Sequence, residues 1–486
     1  GGFLFNFAKS SFLVVLVLSS TTSALELSPQ DVVDLALQQS LNVKKSELTA
    51  QQAEANAEVV RGAYDLIFKI APKYEYTEAQ SMTGTSNPID RTWTLASSLN
   101  KALSSGTALT LQYDRTTQES TLSSFSSSLR RPTAAMDVLT FTIRQALWRN
   151  IFGQADRATL ESADASTLSA RMSREETLED VILKTLSLYW NAFVAETQLR
   201  ENTAARQKYE ELVKAVRRKA GFNLSSPGEL PRLEAEFEAS DSRVKQSSRS
   251  YLAAMDDLRT ALQMTSKDSM TFKVKVLEPA DLPAIPKLAA VEVTALRPYR
   301  IAQIKTQIAD RDRTVAKSSS RPKLDLVATA KSTGVDDTSD LALSEMASGS
   351  KPTYSLGLEL EWPLDSATFR GKKAVAEVAY QSSALDLKLA EDTLRDGLSN
   401  AERAAIANHE TALSTIEVVN KRTRVVRELE ASYRQGRTPL VELIRSYNDL
   451  FAAQQERAKA IGDYQVALNQ WAAYRDELVK NEGSKQ

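Results

Sequence analysis

Residues 354–362 read Tyr-Ser-Leu-Gly-Leu-Glu-Leu-Glu-Trp, a strict alternation of large apolar residues with polar residues or glycine. Successive side chains of a β-strand point to opposite faces, so this alternation predicts a strand with one apolar face. The apolar face consists of Tyr354, Leu356, Leu358, Leu360 and Trp362, and the other face carries Glu359 and Glu361. Residues 139–144, Leu-Thr-Phe-Thr-Ile-Arg, repeat the alternation and predict a second strand of the same kind.

The apolar faces of these strands need a partner. A soluble β-sandwich gives the same alternation. However, the strands predicted at 72–147 and 322–362 are too few to close a sheet within one chain, and aromatic residues at strand ends, Trp148 and Trp362, suit a membrane interface. We therefore expect strand 354–362 to present its apolar face to lipid. A hairpin is predicted at 93–113 around Ser104-Ser105-Gly106, and the sequence leaves open whether it joins the sheet or caps it.

Long helices separate the strand regions. Residues 153–220 contain no proline and predict a helix on the order of 100 Å long, at about 1.5 Å per residue, which no compact domain buries. Further helices are predicted from the break at 221–231 to 264, from 372 to 433 and from 440 to 478. An earlier helix begins at Ser28, with Pro29 and Asp31 completing a capping-box pattern. The last helix carries a coiled-coil seam of two columns: Leu440, Tyr447, Gln454, Ile461 and Leu468, and Leu443, Leu450, Arg457, Tyr464 and Trp471.

Three landmarks occur twice in the same order, which predicts two structural repeats. Residues 72–76 return as 322–326, residues 176–180 return as 392–396, and Gly221 returns as Gly436. The predicted domains are a signal peptide (1–24), a first repeat (25–270), a linker with three prolines (271–287), a second repeat (288–480) and a polar tail (481–486).

The N-terminus and the composition predict an exported chain without a catalytic or metal centre. Lys9, the apolar run at 12–18 and the small residues at 22–24 form the pattern of a secretory signal peptide. The 61 Lys and Arg nearly balance the 62 Asp and Glu, so nothing indicates a nucleic-acid partner. With no cysteine and the single histidine His409 on a predicted helix surface, we expect no disulfide, cofactor, metal site or nucleophile–base pair.

Several further stretches are informative through their order and spacing. They are residues 25–28 with Ala36-Leu37 and Asn42, the proline-led strand starts at Pro72 and Pro322, the strand-to-helix turns at 145–157 and 362–370, and the helix-tip segment 433–443 (Tyr-Arg-Gln-Gly-Arg-Thr-Pro-Leu-Val-Glu-Leu). In this order, and over essentially the whole mature chain, they resemble the TolC family of outer-membrane efflux proteins.

The resemblance implies a mainly α fold with a β-barrel part. Each chain of a homotrimer would give four strands to one 12-stranded barrel in the cell outer membrane, continued by an α-helical coiled-coil tunnel through the periplasm. The implied function is a passive exit duct for tripartite efflux or type I secretion, without enzymatic activity. Its implied partners are outer-membrane lipid, a periplasmic adaptor (membrane fusion protein) and an inner-membrane RND or ABC transporter.

The resemblance also implies where the periplasmic gate and the adaptor contact lie. It assigns them to the helix tips, with Gly221, Tyr433, Gly436, Arg437, Glu442 and Arg445. We expect Gly436 to take a positive φ where the chain reverses. Relatives often carry two carboxylates one turn apart here, whereas this chain has Glu442 and Arg445. The two residues form either a charged ring of mixed sign that narrows the lumen, or an i,i+3 surface ion pair worth a few tenths of a kcal/mol.

Two other functions compete with the exit duct. Periplasmic adaptors of the same export machines also contain long helical hairpins, but they need a β-module split around the hairpin and an N-terminal anchor, and neither pattern occurs here. A soluble coiled-coil scaffold would explain the helices but not the alternating strands. The exported cargo is not specified by the sequence.

Overall fold

The computed structural model describes residues 25–78, 89–121, 133–221, 227–264, 270–272, 282–286, 290–364 and 366–479. The predicted signal peptide, the polar tail and most of the predicted linker lie outside these residues. The elements follow in the order β1 (Leu25–Leu27), α1 (Pro29–Gln39), α2 (Leu41–Gly62), β2 (Leu66–Glu78), β3 (Ile89–Leu103), β4 (Thr107–Thr121), β5 (Thr133–Ala146), α3 (Gln154–Gly221), α4 (Glu229–Ala261), β6 (Met270–Phe272), α5 (Arg297–Ser319), β7 (Lys323–Asp336), α6 (Ser339–Ser348), β8 (Pro352–Glu361), α7 (Ala367–Arg434) and α8 (Leu440–Tyr474).

The chain divides into two compact units, each assembled from separate segments. The first unit, which we call the helical unit, comprises residues 1–40, 181–287 and 401–472. The second, which we call the sheet unit, comprises residues 41–180, 288–400 and 473–486.

The sheet unit contains one antiparallel sheet of six strands in the order β2-β3-β4-β5-β7-β8. Each strand pairs with its neighbours over ten to fifteen residues. The predicted hairpin is confirmed as β3 and β4, and both strands lie inside the sheet. The expectation of four sheet strands per chain is therefore wrong: the described residues form six strands in this sheet, because the hairpin is inserted between β2 and β5.

The sequence had suggested that a strand starts at Pro72, but the structure places the start elsewhere. Strand β2 begins six residues earlier at Leu66, and Pro72 pairs with Leu95 in its middle. Proline is tolerated in an edge strand, where its missing N–H need not face a neighbour, and β2 is the edge of this sheet. Pro322 does precede a strand directly, since β7 begins at Lys323.

The helical unit is built from long helices around apolar cores. The expected capping box at the start of α1 is confirmed: the Ser28 backbone N–H donates to the Asp31 carboxylate at 2.9 Å, and the Asp31 N–H donates to Ser28 Oγ at 3.3 Å.

Strand β1 pairs with β6 in parallel. Strand β6 lies at 270–272, where the first predicted repeat meets the predicted linker.

The long helices follow the sequence closely. Helices α3 and α7 each contain 68 residues, and their bounds lie within a few residues of those predicted. The seam of α8 is confirmed, since Leu440, Leu443, Ile461, Tyr464 and Trp471 are all buried. Within the described residues, no helix combines the length and apolarity needed to cross a membrane.

Candidate functional site

The six-stranded sheet has one apolar face that runs across all its strands. Cross-strand pairing places one residue of each strand at the same level on this face: Phe68, Leu99, Leu111, Phe141, Ala330 and Tyr354. The expected face of β8 is present and strongly exposed, with exposed fractions from 57% for Leu360 to 77% for Tyr354. Exposed apolar patches on this scale mark an interaction with lipid or another protein.

The opposite face of the sheet is polar. The neighbouring level on this face holds Ile67, Asn100, Thr110, Thr142, Thr329 and Ser355, again one residue from each strand. The Thr110 hydroxyl donates to the Asn100 carboxamide oxygen at 3.0 Å. Five of these six side chains can form hydrogen bonds with water, so this face suits contact with an aqueous phase.

Charged side chains collect on the polar face near the strand ends that lead into the helices. Arg144 donates to Asp325 at 3.1 Å and also contacts Glu359. Asp325 is buried, whereas Glu359 is exposed, as the alternation of β8 had predicted. At this end of the sheet, just past the strand ends, the Trp148 and Trp362 rings meet edge to face with centroids 6.4 Å apart. About eight residues at ~3.3 Å each separate Tyr354 from Trp362, or ~26 Å along the strand, which at a tilt of about 40° covers ~20 Å of the ~25 Å apolar band of a membrane barrel.

Helix α6 covers part of the apolar face at the other end of the sheet. A Cβ at Gly334 would lie 2.0 Å from the Ala342 carbonyl oxygen, so only glycine permits this approach. Close by, the fully buried Asp137 accepts hydrogen bonds from Tyr113 at 2.7 Å and from Arg115 at 2.8 and 3.1 Å. Neither α6 nor this cluster had been predicted, because both depend on contacts between strands far apart in sequence.

The turn between α7 and α8, which we call the α7–α8 tip, is a Schellman motif. Gly436 has φ +70°, as expected for the residue at which the chain reverses. Its N–H donates to the Tyr433 carbonyl, and the N–H of Arg437 donates to the Ser432 carbonyl, both at 3.0 Å. Thr438 shares a 2.6 Å hydroxyl contact with Ser432 and leads into α8.

Helix α3 ends at Gly221 and α4 begins at Glu229, within the break predicted at 221–231. Gly221 is the last residue of α3, has no positive φ, and nothing would touch a Cβ placed on it. Among the described residues of this turn, which exclude 222–226, Gly228 directly before α4 has a positive φ of +85°. The sequence contained both glycines, but only the backbone distinguishes the helical one from the turn one.

The predicted site residues of the α7–α8 tip have different surroundings. Tyr433 is half-buried, its ring is 4.4 Å from the Lys219 ammonium, and burial raises the pKa of its hydroxyl. Arg437, Glu442 and Arg445 are exposed. The sequence analysis had left two interpretations of Glu442 and Arg445, a charged ring or a surface ion pair within the chain. In the part of the chain that the structure describes, no ion pair links the two residues, so the second interpretation is not supported.

A polar layer joins the helices behind the tips. The Tyr209 hydroxyl donates to the Asn448 carboxamide oxygen at 2.7 Å, and the Asn448 amide contacts Glu236 at 3.3 Å. Further along, Arg457 pairs with Glu201 at 2.7 Å. Burial raises the pKa of Glu201, although its arginine partner acts in the opposite direction. Arg457 occupies a position of the predicted α8 seam, where most residues are apolar. Its ion pair with Glu201 explains why a charged residue is tolerated at this position.

The sheet unit also holds a cluster of carboxylates that the sequence analysis missed. The guanidinium of Arg297, 5% exposed, lies 3.2 Å from Glu179, 3.5 Å from Glu176 and 4.0 Å from Asp476. The Arg297 N–H also donates to Asp476 at 2.6 Å. Burial raises the pKa of both Glu176 and Glu179 to about 7 despite the nearby arginine. The guanidinium already occupies the position in which a cation would neutralise these acids.

Comparisons with known proteins identify the fold. No protein-family model and no curated protein matches the sequence. Among solved structures, the Campylobacter jejuni CmeC outer membrane channel aligns with a TM-score of 0.64 at 13% identity, covering 92% of this chain and 86% of that chain. The Vibrio cholerae outer membrane protein VceC aligns at 0.62 and 12%, covering 92% and 96%. The open Neisseria gonorrhoeae MtrE outer membrane channel aligns at 0.62 and 15%, covering 93% and 91%.

This chain has the fold of these outer-membrane channels. The implied mainly α fold with a β part, similar to that of these channels, is thereby confirmed over more than nine tenths of the chain.

Proposed function

We propose that the chain is the outer-membrane exit duct of a tripartite efflux or type I secretion system. Three copies would join their sheets into one barrel in the outer membrane, and their helices would form a tunnel through the periplasm. The observation that carries the proposal is the sheet with an unbroken apolar row on one face and a hydroxyl- and amide-rich row on the other. A sheet that lies between lipid and water needs one apolar and one polar face.

The proposed assembly also accounts for the edges of the sheet. Strands β2 and β8 lie at the two edges of the described sheet and are exposed along their whole length. Unpaired backbone groups are costly in lipid, so a membrane sheet has to close. We propose closure by two further copies, with Tyr354, Leu356, Leu358, Leu360 and Trp362 facing lipid and the two halves of the chain acting as structural repeats.

We further propose that the helix tips form the periplasmic gate and contact a periplasmic adaptor. The exposed Arg437, Glu442 and Arg445 supply charges that neighbouring chains or an adaptor would meet. The inner-membrane partner would be an RND or ABC transporter, and the duct itself would act passively and without a cofactor. The competing adaptor and scaffold functions are less well supported, because the solved structures that share the fold are outer-membrane proteins.

Membrane fractionation tests the proposal. The protein should sediment with the outer membrane and, after detergent extraction, should give the mass of three chains by native mass spectrometry. It should also run as a large oligomer on gels unless it is heated. A protein released into the soluble periplasmic fraction, or one that stays monomeric in detergent, would contradict the proposed function.

A further inference from the structure

The β3–β4 hairpin enlarges the sheet of this channel beyond the four strands expected of each chain. All thirteen residues of β2 pair with β3, and β4 pairs with β5 from Thr107 to Glu119. The hairpin is therefore hydrogen-bonded on both sides along the full length of the neighbouring strands. If the hairpin were a flap outside the barrel, β2 would be free to pair with β5 directly. In the structure β2 and β5 are not paired, so the hairpin is part of the sheet.

The lower end of the hairpin is anchored to the strand–helix junctions. Lys101 donates from its ammonium to the Tyr64 carbonyl, just past the end of α2, at 2.6 Å. The turn itself packs on the residues before α3: Gly106 and Gly153 both have positive φ, and a Cβ on Gly153 would lie 1.8 Å from the Ser104 carbonyl oxygen. Such close backbone contact requires glycine and fixes the hairpin in the plane of the sheet.

Strand direction allows the enlarged sheet to close. All five pairings in the sheet are antiparallel, so with six strands the two edges, β2 and β8, run in opposite directions. Copies related by rotation then meet edge to edge as antiparallel strands. The apolar faces match as well, because even-numbered residues form the apolar face of both edge strands, from Phe68 on β2 to Leu358 on β8.

We propose that three chains of this channel close a barrel of 18 strands, six from each, with β8 of one copy paired to β2 of the next. The inference rests on the proposed trimeric duct and specifies the width of its outer-membrane part. With strands about 4.8 Å apart and tilted by about 40°, the backbone diameter is about 36 Å, against about 24 Å for 12 strands.

The added wall carries mostly neutral polar side chains on its inner face. Residues of the hairpin on the polar face of the sheet are Thr92, Thr94, Ser98, Asn100, Thr110, Gln112, Thr116 and Gln118, interrupted by Asp90, Asp114 and three alanines. The barrel would thus be a wide, hydrated mouth with little charge selection at mid-height. Cargo would be selected elsewhere in the duct.

Electron cryo-microscopy of the purified protein in nanodiscs measures the strand number directly. We expect a threefold particle with a barrel about 36 Å across. A matched variant lacking residues 89–132 should pair β2 with β5, keep its threefold symmetry and narrow to about 24 Å. A wild-type trimer with a barrel of about 24 Å and the hairpin outside it overturns the inference but leaves the duct intact, whereas a particle without threefold symmetry contradicts the proposed function itself.

Disulfide crosslinking tests the seam independently, because the chain contains no cysteine. Ser355→Cys on β8 is combined in turn with Ile67→Cys, Lys69→Cys or Ala71→Cys on β2, all on the polar face. We expect oxidation of one or two of these pairs to give a covalent trimer. Pairs of Ser355→Cys with Phe68→Cys or Ile70→Cys point to opposite faces and should remain uncrosslinked.

The crosslinks also distinguish alternative closures. Within one chain, β2 and β8 are five strand spacings apart, about 24 Å along the sheet, far beyond the roughly 7 Å limit for a disulfide. A disulfide without a change of mass would mean that one chain closes on itself, and a covalent dimer as the end product of complete thiol oxidation would mean a barrel of 12 strands from two copies. Either result overturns the inference.

Discussion

The carboxylate cluster around Arg297 predicts that the protein loses stability as the pH rises. Glu179 is buried beside one guanidinium that it shares with Glu176 and Asp476, so ionising all three acids leaves excess negative charge in a poorly hydrated place. Burial raises the pKa of Glu179 from an ordinary value of 4.5 to about 7. Because the folded chain binds the proton more tightly than the unfolded chain, this contribution to stability is fully present below about pH 4.5 and is lost as the pH rises from there through about 7.

The pKa shift sets the size of the effect. An increase from 4.5 to about 7 corresponds to roughly 3 kcal/mol for one carboxylate, at about 1.4 kcal/mol per unit of pKa. Glu179→Gln removes this ionisable group and keeps its volume. The variant should match the wild type at pH 5 and should be more stable above pH 7, by up to about 3 kcal/mol.

Thermal unfolding of the detergent-extracted protein from pH 5 to 8.5, followed by circular dichroism at helical wavelengths, measures this difference. Arg297→Gln provides the opposite control, because it removes the counter-ion. It should lower the melting temperature most at high pH, where the carboxylates are ionised. A wild-type melting temperature that stays constant or increases from pH 5 to 8 would refute the argument, as would a Glu179→Gln profile parallel to that of the wild type.

Three further changes test the sheet, the hairpin and the tip. Leu358→Arg should cost about 2–4 kcal/mol near the bilayer midplane and reduce the amount of assembled trimer, while Glu359→Gln should assemble normally; equal assembly of both would contradict the assigned faces. Gly153→Ala should prevent the turn at Ser104 from packing against residue 153 and should reduce the amount of heat-resistant oligomer on gels. An unchanged amount of this oligomer would show that the turn can shift to accommodate the methyl group. Glu442→Lys beside Arg445 should raise conductance in planar bilayers by like-charge repulsion around the threefold axis, and wild-type conductance would remove both residues from the gate.

The parts of the fold that local sequence determines were predictable. Strand β8 and the paired faces of β5 follow from a two-residue period, and the reversal at Gly436 follows from a glycine flanked by two helix-forming segments. The capping box at Ser28 is equally local. Each of these depends on residues within one turn or one strand, so no long-range contact could override them.

The parts that depend on distant contacts were not predictable. The position of β3 and β4 inside the sheet is decided by pairing with β2 and β5, and nothing in the hairpin alone specifies its neighbours. Pro72 suggested a strand start, but the edge position of β2 lets the strand continue through it. The Arg297 cluster joins residues about 120 and 180 positions away, at Glu179 and Asp476, and appears only once the helices are packed.

The β3–β4 hairpin leaves β2 and returns to β5 at the same end of the sheet, the end opposite to the helices. Gaining or losing the hairpin therefore leaves two connections in place: the one by which the chain enters the sheet from α2, and the one by which it leaves the sheet toward α3. In the proposed trimer, each hairpin gained or lost by the gene would add or remove six strands of the barrel. A single insertion or deletion event would then widen or narrow the proposed outer-membrane opening, while the helices keep their sequence.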